Sequence, residues 1–226
     1  MSEATAPRHL PDRLGSRTKD IVYSWETLLI LVLLAVFTIN SFASPYFLDP
    51  WNLSDATFNF TEKALIALAM ALLIISGEID LSVAAIVALA STAMGYIASI
   101  GGGTGTMVLA GILTGLACGA FNGLLVTRFK LPSIVVTIGT MSLFRGMSFI
   151  VLGDGVFKGY PADFAFFGQG YVWWVFSFEF VFFLCAAAIY AMLLHKTNFG
   201  RLIYAIGNNE TAALFSGVRV ARVKFT

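Results

Sequence analysis

Two apolar runs, residues 64–76 and 83–100, flank the polar stretch Ser76-Gly77-Glu78-Ile79-Asp80-Leu81-Ser82. As helices they measure about 20 Å and about 27 Å at 1.5 Å per residue. A bilayer hydrocarbon core is about 30 Å thick, so the first run crosses it only if its helix starts earlier, near Thr57. Glu78 and Asp80 are expensive next to lipid and must face protein, water or an opposite charge. Gly77 suits the end of the first helix, and Asp80 and Ser82 suit the cap of the second. The stretch is therefore either a turn between two spans or a helix break at depth, whose helix ends and backbone groups line a polar path. Both readings require a membrane protein.

The remaining chain agrees with this. Of 226 residues, 58% are hydrophobic and 12% charged, with a mean hydropathy of +0.83. A soluble domain has no use for that much apolar surface. The net charge of +1 offers no footprint for nucleic acid. Cys118 and Cys185 lie inside apolar runs without ligand spacing, which fits packed thiols and no metal site.

Residues 1–24 form a basic tail with Arg8, Arg13, Arg17 and Lys19, and residues 25–226 form the membrane domain. The first span covers residues 27–42, with Trp25 at its interfacial edge. A cleavable signal is a poor fit, because the charged lead is long and more spans follow. Residues 44–63 read as a loop, since Pro45 and Pro50 argue against a continuous helix. Gly101-Gly102-Gly103-Thr104-Gly105-Thr106 lacks the Gly-Lys-Ser/Thr ending of a phosphate loop and reads as a hairpin.

The fourth span, residues 107–126, carries Gly111, Gly115, Gly119 and Gly123 at intervals of four. Each step turns about 40° on an ideal helix, so the four make one slowly winding groove suited to helix packing. Asn122 lies beside that groove. The fifth span covers residues 131–152 and carries Arg145 about 20 Å along, where it snorkels or pairs inside the bundle. A polar, aromatic loop, residues 153–170, leads to a sixth span over residues 171–194, with Trp173 and Trp174 at its mouth.

A cytoplasmic N-terminus gathers the basic residues on one side. These are the four in the tail, Arg128 and Lys130 after the fourth span, and Lys196, Arg201, Arg219, Arg222 and Lys224 after the sixth. Only Lys63 and Lys158 then fall outside, which sets the orientation. In the cytoplasmic segment, residues 195–226, a short helix is punctuated by Asn208 or Asn209 at its start and Gly217 at its end. Glu210 favours the positive end of that helix. Leu214 and Phe215 need cover, from a docked soluble partner or from the membrane surface.

Gly77-Glu78-Ile79-Asp80-Leu81-Ser82-Val83 resembles a stretch in permease subunits of ABC sugar importers of the ribose, xylose, arabinose and rhamnose type. Asn122-Gly123-Leu124-Leu125-Val126, Leu131-Pro132, Thr137-Ile138-Gly139-Thr140-Met141 and Phe144-Arg145-Gly146 resemble the next blocks in order. Asn198-Phe199-Gly200-Arg201 and the segment from Ala205 to Gly217 are similar to that family's cytoplasmic segment. Glu78 and Ala84 stand where the pattern has glycines, so this chain carries a charge that the pattern lacks.

The resemblance implies an all-α, polytopic transmembrane bundle, with six spans here of a ten-helix permease and a C-terminal part missing beyond Thr226. It implies the translocation subunit of an ATP-driven importer for a pentose or deoxyhexose, in a bacterial inner membrane. Glu78, Asp80, Asn122 and Arg145 are the candidate substrate path. Asn209, Glu210, Ala213, Leu214, Phe215 and Gly217 are the candidate contact with a cytoplasmic ATP-binding subunit. Other implied partners are a periplasmic sugar-binding protein, a second permease copy or relative, and membrane lipid.

The chain itself is expected to catalyse no covalent chemistry and to hold no cofactor, ATP being used by the partner. His9 and His195 stand alone, without the nucleophile–base arrangement of an intramembrane hydrolase. Two other readings stay open: an ion-coupled transporter titrating Glu78 and Asp80, and a non-transporting fragment of a permease.

Overall fold

The computed structural model describes residues 24–225, so the tail arginines and Lys19 lie outside the described residues. The described residues divide into two compact units, one up to residue 53 and one from residue 54 on. In the first, α1 (Trp25–Ala43) starts at Ser24, whose hydroxyl accepts from the Thr27 amide at 3.3 Å. Phe37 meets Phe47 edge-on at 5.4 Å, and the Asn52 side-chain amide donates to the Phe47 carbonyl at 3.0 Å. None of α1 is buried within the protein, which suits a helix solvated by lipid.

Residues 44–63, expected to be a loop, instead hold the first half of a 26-residue helix, α2 (Pro50–Ile75). Asp49 Oδ1 accepts from the Trp51 amide at 3.2 Å, and Pro50 occupies the first helical position. Proline is tolerated there because that amide has no partner within the helix anyway. Pro50 therefore starts a helix rather than preventing one, and α2 has length to spare for crossing a bilayer.

Three helices form the heart of the second unit: α3 (Val83–Ser99), α4 (Thr104–Arg128) and α5 (Ser133–Leu152). Ala85 and Leu89 of α3, Cys118 of α4 and Phe144 of α5 are buried together, with Ile86 and Met141 packed on them. Lipid tails are as apolar as these side chains, so close packing and interhelical hydrogen bonds hold such an interface. One such bond joins Thr92 of α3 to Ser148 of α5 at 2.5 Å, buried. Thr92 also donates to the Ala88 carbonyl at 2.9 Å, and the Ser148 hydroxyl lies 3.5 Å from that same oxygen.

After α5, a short 3-10 turn (Ala162–Phe164) and α6 (Ala165–Gln169) precede a two-stranded hairpin, β1 (Tyr171–Trp173) and β2 (Phe176–Ser177). The sixth span is accordingly shorter than its apolar run: α7 covers Phe178–Lys196, and Trp173 and Trp174 belong to the hairpin and its turn. Ser177 is fully buried, caps α7 by accepting from the Phe180 amide at 3.3 Å, and lies 3.1 Å from the Thr57 hydroxyl. The Thr57 contact ties the hairpin to α2, and the Ser54 hydroxyl donates one more bond, to the Val175 carbonyl.

Among the described residues, five helices are long and apolar enough to cross a membrane: α1, α2, α4, α5 and α7. The third of the six expected spans, α3, has 17 residues and falls short of that length. Beyond α7, three short helices fold on one another: α8 (Asn198–Asn208), α9 (Glu210–Phe215) and α10 (Val220–Phe225). Their small core is Ile206, Ala213 and Val220, flanked by Val218 and Val223.

Candidate functional site

The break between α2 and α3 is the centre of the site. Two residues past the end of α2 the chain turns at Gly77, which has φ +82°, a backbone region that costs glycine no strain. The Gly77 amide donates to the Ile74 carbonyl at 3.0 Å and the Glu78 amide to the Leu73 carbonyl at 2.9 Å. This pair of bonds satisfies the last carbonyls of α2 and turns the chain sharply.

Residues Glu78 to Asp80 then run without regular structure, and α5 supplies the missing partners. The Ile79 amide donates to the Ser133 hydroxyl at 3.3 Å, and the Thr137 hydroxyl sits 3.5 Å from the Ile79 carbonyl. Ser133 and Thr137 lie in the first turns of α5, so the break sits near the end of the bundle marked by Arg128 and Lys130.

Asp80, a candidate cap for α3, does not cap it. It accepts instead from the Ser82 amide at 2.7 Å and from the Ser82 hydroxyl at 2.6 Å, closing a small loop onto its neighbour. Ser82 takes the cap position itself, but its backbone is already helical and its hydroxyl caps nothing. That hydroxyl is engaged elsewhere: while donating to Asp80, it accepts from Asn122 Nδ2 of α4 at 2.8 Å. Ser82 is fully buried and Asn122 is 6% exposed, and the Asn122 amide oxygen has no protein partner among the described residues. Asn122 lies six residues before the end of α4, about 9 Å into the bundle. Helix α3 therefore starts below the level at which its neighbours end.

Glu78 is reached by Lys224 of α10, whose Nζ lies 2.5 Å from Glu78 Oε1 and 2.7 Å from Glu210 Oε2 of α9. Burial disfavours the lysine charge. The hydrogen bonds and charges of Glu210 and Glu78 outweigh burial, and the pKa of Lys224 is raised above its ordinary value.

These groups open onto a cavity of about 590 Å³. Glu78, Asp80, Asn122, Gly115, Gly119 and Lys224 are among its lining residues. The glycine groove of α4 divides there. A Cβ at Gly111 would press on Met94 of α3, and one at Gly123 would meet the Phe225 ring at 3.1 Å. Gly115 and Gly119 face open space. The structure thus gathers Glu78, Asp80 and Asn122 in one place but leaves out Arg145, which is exposed on α5 and away from the cavity.

In the segment after α7, Asn209 rather than Asn208 caps α9, its Oδ1 accepting from the Ala212 amide at 2.9 Å. The Gly217 amide donates to the Leu214 carbonyl at 3.0 Å and ends the helix. Ala213 is buried against α8 and α10, so it holds the helix in place and presents nothing outward. Leu214 and Phe215 are 57% and 86% exposed. Helix α8 comes so close to the end of α2 that a Cβ at Gly207 would fall on the Ile75 carbonyl oxygen.

Sequence reasoning missed Lys224 and Phe225 as parts of the site. The signal for Lys224 was the lone Glu78, which demands a cation, with a basic helix available on the same side.

A family model described as "Branched-chain amino acid transport system / permease component" matches residues 52–226. The chain is 37% identical over 196 residues to the ribose import permease protein RbsC of Bacillus subtilis, covering 86% of this chain and 61% of that protein. It is 33% identical over 239 residues to the L-arabinose ABC transporter permease protein AraH of Azospirillum brasilense, covering all of this chain and 68% of that protein. It is 30% identical over 198 residues to the autoinducer 2 import system permease protein LsrC of Yersinia enterocolitica, covering 86% and 54%. The chain thus spans roughly half to two thirds of these relatives. No solved structure matches it. With five helices of spanning length, a polar break after one of them and a family-model match over most of its length, the chain belongs to this family of transport-system permease components.

Proposed function

We propose that the chain acts in the translocation subunit of an ATP-driven importer for a monosaccharide, of the pentose or deoxyhexose class, in a bacterial inner membrane. The observation that carries this reading is the cavity at the helix break. Its size falls in the range of small-molecule sites, and Asp80, Asn122, Ser133 and Thr137 offer a neutral sugar donors and acceptors beside apolar walls. The names of the ribose and arabinose relatives support the substrate class.

In this reading Glu78, Asp80 and Asn122 border the path, and Gly115 and Gly119 form its smooth wall. Gly111 and Gly123 serve helix packing. Arg145 lies off the path and meets lipid headgroups or another helix. The N-terminus is cytoplasmic, which puts α8 to α10 on the side of the ATP-binding subunit. Helix α9 presents Leu214 and Phe215 to that subunit, with Asn209, Glu210, Ala213 and Gly217 fixing its ends and seat. A periplasmic sugar-binding protein delivers the substrate, and a second permease copy or relative completes the path.

The test is sugar uptake in membranes carrying the protein with its ATPase and binding protein. Gly119→Trp, which fills the cavity, should abolish uptake while membrane insertion persists. Phe215→Ala should weaken recovery of the ATPase with the permease by about 30-fold, the cost of a lost aromatic anchor of roughly 2 kcal/mol. Uptake that survives Gly119→Trp, or that stops with a proton uncoupler while ATP remains, would overturn the reading.

A further inference from the structure

A second cavity, of about 450 Å³, adjoins the first on the side of the short helices. Its walls include Glu210 and Leu214 of α9, Thr127 and Lys130. The two cavities share four lining residues: Glu78, Val126, Ser133 and Lys224. Glu78 comes from the break and Lys224 from α10, and their ion pair closes the boundary at 2.5 Å. Beside it, Phe225 lines only the inner cavity, its ring lying over Gly123 of α4. We propose that the Glu78–Lys224 ion pair, backed by Phe225, is a gate between the membrane-side cavity and the cytoplasmic one. This rests on the cavity being the translocation path.

The third member of the cluster explains how such a gate can move. A charge left unpaired in a partly buried site is costly, so a gate that merely pulled the pair apart would open rarely. Lys224 already holds two carboxylates. Its side chain is 11% exposed, that of Glu78 17%, and that of Glu210 57%. Glu210 sits in the first turn of α9, the helix assigned to docking. When α9 shifts, Lys224 can leave Glu78 and follow Glu210 without losing its countercharge. Glu78 then faces an opened, hydrated passage in which an exposed carboxylate is stable. Movement of the docking helix thereby reaches the cavity through one lysine.

The experiment is cysteine accessibility in inside-out membrane vesicles carrying the full chain with Cys118→Ala and Cys185→Ala. A membrane-impermeant maleimide is applied, and the labelling rate at Ala120→Cys, on the inner cavity, is divided by that at Thr127→Cys, on the outer one. With the pair intact the ratio should be low. Glu78→Gln and Glu78→Gly should each raise it about tenfold, and Glu78→Lys combined with Lys224→Glu should bring it back down.

A ratio that stays within about twofold of the parent in both Glu78 variants overturns the gate, as does a high ratio in the parent. If Lys224→Glu blocks insertion, the two Glu78 variants alone decide, because neither removes Lys224 from Glu210. The assay needs no sugar and no ATPase. A ratio that responds in a protein that moves no sugar keeps the ion pair as a barrier between the two cavities but sinks the transport reading, whereas an unchanged ratio in a working transporter sinks the gate alone.

Discussion

Asn122 Nδ2 donates to the Ser82 hydroxyl at 2.8 Å, joining α4 to the start of α3 across 40 residues of chain. The same hydroxyl donates to Asp80, so one serine relays between a carboxylate and an amide. Ser82→Ala would leave the buried Asn122 amide nitrogen without its partner, at a cost of about 1–3 kcal/mol. Asn122→Leu should cost less, because it removes the stranded group along with the bond. Unfolding in mixed detergent micelles, followed by circular dichroism, should rank Ser82→Ala below Asn122→Leu; the opposite order would mean that the bond matters little.

Asp80 accepts two bonds from one neighbour rather than capping a helix. Asp80→Asn keeps an acceptor oxygen and should lose about 0.5–1.5 kcal/mol. Asp80→Leu removes both bonds and should lose at least twice as much in the same assay. Equal losses would show that the turn is held by other contacts.

Two glycine substitutions should separate close approach from open space. Gly207→Ala drives a methyl into the Ile75 carbonyl and should prevent stable folding or cost more than about 3 kcal/mol, at the upper end for overpacked cores. Gly115→Ala meets nothing within 4 Å and should be neutral, or better by up to about 1 kcal/mol from helix propensity. Thermal aggregation of the solubilised protein reads both, and similar midpoints for the two would contradict the packing described.

The pKa of Lys224 is raised in the folded protein, so its contribution to stability is complete below about pH 10.5, its ordinary value. That contribution falls away as pH climbs through the higher folded value. Lys224→Met should melt lower than wild type at neutral pH, with the gap narrowing only in strong alkali. A gap that instead closes well below about pH 10 would contradict a raised pKa.

The general outline is legible in the sequence because membrane physics writes it in long runs. Apolar lengths mark the spans, and Gly77 and Gly217 mark helix ends through backbone freedom. Asn209 announces a cap. Pro50 misleads because proline forbids the interior of a helix and favours its first turn, and only Asp49 before it separates the two cases. The hairpin at Trp173 and Trp174 is hidden because its residues are as apolar as the span behind them. Within the site, Glu78, Asp80 and Asn122 stand out as polar groups in apolar surroundings. Their partners do not: Lys224 is 146 residues from Glu78, and it is one basic residue among several on the same side. Arg145 draws notice by its charge alone, which tells nothing of the direction it faces.

The buried hydroxyls of Thr92 and Ser148 bear on how α3 and α5 can slide. Ser148 lies near two acceptors on α3, the Thr92 oxygen at 2.5 Å and the Ala88 carbonyl at 3.5 Å. These two oxygens lie only 2.9 Å apart, because the Thr92 hydroxyl bonds back to the Ala88 carbonyl one turn earlier. A small shift of α5 against α3 would let Ser148 exchange one acceptor for the other, while Thr92 keeps its own bond to Ala88. Such a shift would strand no polar group in the low-dielectric interior, so this contact is built as a bearing rather than a bolt.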